Sequence, residues 1–199
     1  MMLIEQTTVP VAALPVQALK DHLRLGTGFA DDGLQDGLVK SFLRAAMAAI
    51  EVRIGKVLIT RRFQLTLEDW RWAGEHALPV APVSLVLSVT LIDAADVAFL
   101  VEGARYRLVQ DTHRPRLVAT GAVLPLVPTG GRVEVVFDAG FGADWASVPA
   151  DLAQAVLLLA AEFYERRHEV GGREGGLPLG VVSLIERWRT VRVLGGGAA

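Results

Sequence analysis

Two short motifs in this chain have the residue types and spacing of chemical sites. Glu165-Arg166-Arg167-His168 is a Glu-x-x-His spacing, which on a helix aims a carboxylate and an imidazole at one metal ion. A di-metal site needs that pair twice, and none of His22, His76 and His113 has a Glu three residues before it, so a charged helix end is the simpler reading. Val133–Trp145, VEVVFDAGFGADW, places Gly140-x-Gly142 between a strand and a helix, the order of a dinucleotide-binding loop. Trp145 stands where the third glycine of such a loop belongs, and an indole there would block a pyrophosphate. Ser41, Ser84, Ser88, Ser147 and Ser183 lack a Gly-x-Ser-x-Gly elbow, and no Walker loop is present. Asp31, Asp32 and Asp36 suit helix capping better than cation binding. The expectation is no catalytic residue, no cofactor and no metal.

One cluster has the composition of an interface instead. Trp188 in IERWRTVR is surrounded by Arg187, Arg189 and Arg192, residue types enriched at binding hot spots. The glycine-rich stretch before this C-terminal helix suggests that it is detachable. The competing reading is that Trp188 packs on its own domain while the arginines are solvated.

The elements that must position these residues follow from periodicity. Pro15 suits the first turn of a short helix through Leu25, ended by Gly26. A longer helix, capped by Asp31 or Asp32, carries Leu34, Leu38, Phe42, Ala46, Ile50 and Ile54 as its apolar stripe and closes at Gly55. From Val57 to Ala139 the period becomes two, with strands expected near 58–68, 84–93, 97–101, 105–110, 115–119 and 132–139. Their connections are too short for crossover helices, so the strands are mostly antiparallel. Helix resumes at Pro149, apolar nearly all round, which requires cover from this chain or from a neighbouring subunit. A last helix is expected over about Leu179–Leu194, before a GGGAA tail.

The fold class is therefore α+β: a four-helix bundle, residues 1–57 and 147–199, with a long antiparallel β insertion, 58–140, between its second and third helices. The chain of 199 residues is 52% hydrophobic and has a net charge of -2, which gives no basic field for gripping nucleic acid. Mean hydropathy is high at +0.39, yet LAQAVLLLAA is about half of the roughly 20 residues that span a bilayer, so no membrane association is expected. The surplus apolar surface suits subunit contacts. No cysteine is present, and the N-terminus lacks the charge pattern of a signal peptide.

The run from VEVVFDAGFGADW through VPADLAQAVLLLAAEFYERRHEV resembles the signature of the phage head-tail connector (adaptor) family. There, an Ala-Gly-Tyr-Gly-like turn precedes Val-Pro-x-x-Leu and an apolar helix ending in Tyr-Glu-x-Arg. LPVAPVSLVLSVTLIDA, Tyr106, VALPVQALKDHLRL, DDGLQDGLVKSFLRAAMAAIE and LPLGVVSLIERWR resemble further pieces in order, over nearly the whole chain. Phe141 replaces the usual Tyr, and Asp138 a small or apolar residue.

The resemblance implies a structural protein of a tailed phage or gene transfer agent, made in the bacterial cytoplasm and placed at the particle's neck. It implies a ring of about 12 copies beneath the portal, leading toward a stopper or tail-side protein, with DNA passing through the channel without sequence-specific binding. The expected portal interface is Ile185, Arg187, Trp188, Arg189, Val191, Arg192, Val193 and Leu194. The expected subunit interface is Leu157, Leu158, Tyr164, Arg166 and Arg167. Another neck protein, a stopper or tail terminator, is the neighbouring alternative; an α+β enzyme or small-molecule binder with an unrecognised site is the remoter one.

Overall fold

The structure, a computed structural model, describes residues 1–24, 35–167 and 176–189. Strand β1 (Met2–Glu5) is followed by helices α1 (Val16–His22) and α2 (Asp36–Ile54). Then come strands β2 (Arg61–Leu67), β3 (Glu75–Ala77), β4 (Val83–Ile92), β5 (Ala98–Leu100), β6 (Tyr106–Val109), β7 (Arg116–Ala119) and β8 (Arg132–Ala139). Helices α3 (Ala150–Glu165) and α4 (Leu179–Ile185) complete the order. The fold is α+β, with the strand-rich region between α2 and α3 as expected.

All strand pairs are antiparallel. One sheet has the order β1-β2-β8-β4-β5 and the other β3-β7-β6. Alternation sets the inner face: Val133, Val135, Phe137 and Ala139 of β8 and Phe63, Leu65 and Leu67 of β2 point inward, with the rings of Phe63 and Phe137 5.9 Å apart. They share a core with Leu117, Trp70, Leu78 and Leu124, which places the smaller sheet and its loops against the larger. Two strands were not expected. β1 pairs along β2, and β3 lies between the strands expected near 58–68 and 84–93.

A second core joins the helices. α2 buries Val39, Leu43, Ala46, Met47, Ile50 and Ile54 against Leu152, Ala155, Val156 and Leu159 of α3 and Val181 and Ile185 of α4. The stripe differs from the expected one: Leu38 is 41% exposed and Phe42 half-buried. A strict four-residue repeat drifts about 40° per step on a helix of 3.6 residues per turn, so mixed steps of three and four stay on one face instead. Leu34 lies outside the described residues, as do Asp31, Asp32, Leu25 and Gly26. Gly55, at φ 66°, ends α2 in the left-handed conformation, its N–H bonded to the Glu51 carbonyl. Lys20 of α1 pairs with Asp36 at the start of α2.

α3 is covered mostly by its own chain; Gln154 and Glu165 are exposed, whereas Leu157 and Leu158 are half-buried against the helical core. Helix α4 is shorter than expected. It ends at Ile185, a single 3-10 turn follows over Glu186–Trp188, and Arg189 is extended (φ -67°, ψ 134°). Among the described residues, no helix is long and apolar enough to cross a membrane.

Candidate functional site

The site is built at the corner where the chain leaves β8. Gly140 has φ 143°, and a Cβ there would sit 2.4 Å from Thr60 Cα and N. A Cβ on Gly142 would sit 2.2 Å from that of Ser147. Both glycines are therefore required by close packing within the chain. The outgoing corner is hydrogen-bonded to the incoming segment: Thr60 N–H donates to the Gly142 carbonyl at 2.8 Å, and Phe141 N–H to that of Leu58 at 3.2 Å. The antiparallel surroundings of β8 and these filled spaces leave no dinucleotide cradle.

Asp144 caps the next turn, its Oδ1 accepting from the N–H and hydroxyl of Ser147 at 3.1 and 2.8 Å. Pro149 then starts α3, and Asp151 in the first turn gathers α4. Asp151 Oδ2 accepts from Trp188 Nε1 and from Arg187 Nε, both at 2.7 Å, and Oδ1 from the N–H of Leu152 at 3.0 Å. Trp188 also lies edge-on to Phe141 at 5.3 Å, with the Arg187 guanidinium 4.8 Å from its ring. Burial pushes the Asp151 carboxyl up, but hydrogen bonds from Trp188 and Leu152 and the Arg187 charge outweigh it and hold the group below its ordinary 3.8.

Of the expected portal-facing residues, Ile185 is wholly buried in the helical core and Trp188 is half-buried on its own domain. The last helix is thus a seated part of the bundle, and the detachable reading is corrected: Val181 and Ile185 fasten it to the core. Arg187 and Arg189 face solvent, Arg189 pairing with Glu186. Val191, Arg192, Val193 and Leu194 lie outside the described residues.

The expected subunit-interface residues fall into two groups along α3. Leu157 and Leu158 are on its middle turns. Tyr164, Arg166 and Arg167 gather at its end: Tyr164 donates to Gln35 Oε1 at 2.9 Å and meets Phe42 edge-on, while Arg167 lies over the Tyr164 ring at 4.2 Å and Arg166 pairs with Glu162. Glu165 is exposed, and His168 lies outside the described residues.

Sequence reading missed where apolar surface is exposed. Leu85 and Leu87 of β4, Phe99 and Leu100 of β5, and Met2 and Ile4 of β1 all face outward, Leu100 at 73% exposure. The continuous apolar run SLVLSVTLI was the available signal, because a strand with one wet face alternates. A buried lysine was missed too. Lys56 is 1% exposed beside the bridge to Ala81, and burial lowers its pKa against the raising influence of Asp111.

No family model and no curated protein matches the chain. Solved structures do. The chain is 59% identical to a chain in the neck of an empty gene transfer agent particle computed with C6 symmetry, covering 98% of this chain and 99% of that one at a TM-score of 0.90. It is 59% identical to a chain in the virion of a native gene transfer agent particle, with the same coverage and a TM-score of 0.87. A chain in the neck of the native particle computed with C12 symmetry is 54% identical, again over 98% and 99%, with a TM-score of 0.84. These relatives are structural components of a phage-like particle, the class in which an α+β subunit with outward apolar strands finds its place. The chain belongs to the phage head-tail connector family.

Proposed function

We propose that this chain is the head-tail adaptor subunit of a gene transfer agent particle. It is a structural neck protein whose copies form a ring beneath the portal and extend the DNA channel toward the stopper and tail. The supporting observation is the end-to-end likeness to chains of the particle neck, in structures computed with C6 and C12 symmetry. A ring of twelve copies is supported by the C12 symmetry of that neck, taking one copy per asymmetric position. The near-neutral net charge suits a wall past which DNA slides, because many phosphate contacts would hold it.

Portal docking is assigned to the exposed Arg187 and Arg189 and to residues 190–194, with Ile185 and Trp188 anchoring the helix that presents them. The subunit contacts are assigned to the α3 residues Leu157, Leu158, Tyr164, Arg166 and Arg167. A cryo-EM map of the parent particle tests the placement, since density for this chain directly beneath the portal is expected. Density lower in the neck would make it a stopper or tail terminator. A truncation testing the docking has to begin after Arg189, because removal from Gly180 onward takes Val181 and Ile185 out of the core. The chain ending at Arg189 should fold, form no portal complex and leave heads untailed; a complex of unchanged affinity would refute the assignment.

A further inference from the structure

The five-stranded sheet has two open margins. β1 forms one, with a strand partner on one side only among the described residues. β5 forms part of the other, covering β4 over Thr90–Ile92 and leaving Ser84–Ser88 as the rest of that margin. Both are apolar on the outward face. Met2 and Ile4 stand out from β1 while Leu3 turns in to the β core, and Leu85 and Leu87 stand out from β4 near the exposed Phe99 and Leu100 of β5. Between the margins the same face is polar, with Gln64, Glu134 and an Arg62–Asp138 ion pair at 2.9 Å. Natural sheets blunt apolar edges with charge or cover them.

We propose that the two margins are the halves of one subunit contact, in which Met2 and Ile4 of one copy pack on Leu85 and Leu87 of the next, with Phe99 and Leu100 at the rim. The contact rests on the ring of copies proposed above and adds to the α3 contacts assigned there.

Ring closure selects a second copy as the occupant. Neighbours related by a cyclic rotation meet through two different patches of one chain, so β1 cannot meet β1. This sheet supplies two patches of like chemistry at opposite margins. With twelve copies the rotation is about 30°, which keeps the outward faces of adjacent sheets turned the same way.

Strand direction sets how the margins meet. Three antiparallel steps separate β1 from β4, so the incoming β1 runs against β4. A sheet twist of roughly 20–25° per step makes the two cross obliquely instead of extending one ladder. Side chains therefore carry the contact, in keeping with the register shifts at Ser84 and Leu87 that bend this edge. Charge agrees as well. The exposed Arg107 lines a groove with Ser84, Leu85 and Val86 and offers a cation to Glu5 of the incoming strand. Asp111, in the adjoining groove, is turned into its own loop, accepting from the N–H groups of His113 and Arg114 at 2.6 and 2.7 Å.

The absence of cysteine permits a disulfide trap in assembled particles. Each test chain carries one cysteine on β1, Met2→Cys or Ile4→Cys, and one on β4, Leu85→Cys or Leu87→Cys. Within one subunit these positions lie three strand spacings apart, about 14 Å, beyond the roughly 7 Å that a disulfide can bridge. Mild oxidation should turn at least one of the four double variants into a ladder of linked chains on a denaturing gel, with every single-cysteine chain unlinked. Absence of a ladder from all four, or linkage of a single-cysteine chain, overturns the proposal. A cysteine-free check is Leu85→Lys with Leu87→Lys: both side chains are exposed, so the subunit should melt as wild type yet enter particles about tenfold less or more. Undiminished entry also overturns the contact. Particle density separates the two readings. A ladder from a ring lying lower in the neck refutes the adaptor placement and keeps the contact, whereas no ladder from a ring beneath the portal refutes the contact alone.

Discussion

Replacing Trp188 by Phe tests how the last helix is held. Phe keeps an aromatic ring against Phe141 but deletes the 2.7 Å hydrogen bond from Nε1 to Asp151. A hydrogen bond to a charged group contributes about 1.5–3 kcal/mol. The lower half of that range applies, because Arg187 and the Leu152 N–H still serve the carboxylate. A loss of about 1.5–2 kcal/mol lowers Tm by roughly 3–8 °C in a chain of this size. A double-mutant cycle with Asp151→Ala isolates the pair and should give a coupling of about 1 kcal/mol or more. The pH dependence has a defined sign. The Asp151 pKa is depressed on folding, so its contribution is present above the unfolded value near 3.8 and is lost as pH falls through the folded value. The gap between wild type and Trp188→Phe, followed by thermal melts, should therefore close in acid. Additive single-variant losses, or a gap that never narrows as pH is lowered through the acid range, would refute the assignment of the energy to this bond.

Ile185→Ala should cost about 2–4 kcal/mol by leaving a cavity between α3 and α4, read as a lowered denaturation midpoint with an unchanged slope. Gly140→Ala forces a Cβ into the Thr60 backbone at positive φ and should cost about 3 kcal/mol or more, read as loss of soluble folded protein; a normal melt would show that the corner relaxes freely. His76 is buried, accepts the Arg71 N–H at Nδ1 and meets Trp70 edge-on; burial, then the Arg71 charge, lowers its pKa. Its contribution is present above the unfolded value of 6.5 and lost as pH falls through the folded one, so His76→Gln should flatten the decline of Tm as pH falls below 6.5.

Strand alternation in β2 and β8 was legible because each has one buried face and a period of two. The glycine corner was legible as a corner because its residue types admit few backbone paths. Strand β1 was not, since a four-residue strand at a chain end depends on a partner sixty residues away. The stripe on α2 was read correctly at Ala46, Ile50 and Ile54 but not at Leu38 and Phe42, because regular four-residue spacing looks helical while winding around the helix. For Trp188 the sequence supplied two seats, and only Asp151 and Phe141, brought together by the α3 start and the β8 corner, decided between them. The apolar surplus was legible in the composition, but its exposure on β1, β4 and β5 was not. Composition counts such residues, but only the sheet order tells which strand faces turn outward.

The hydrogen bonds between Leu58–Thr60 and Phe141–Gly142 also bear on how such a chain can change over time. The points where it departs from the helices and rejoins them are neighbours, so the bundle experiences everything between them as one closed loop. Closure cost rises only with the logarithm of loop length. The strand-rich region is thus free to lengthen, shorten or exchange its outward surface while the seam persists, and partner choice in the β region can evolve separately from the packing of the helices.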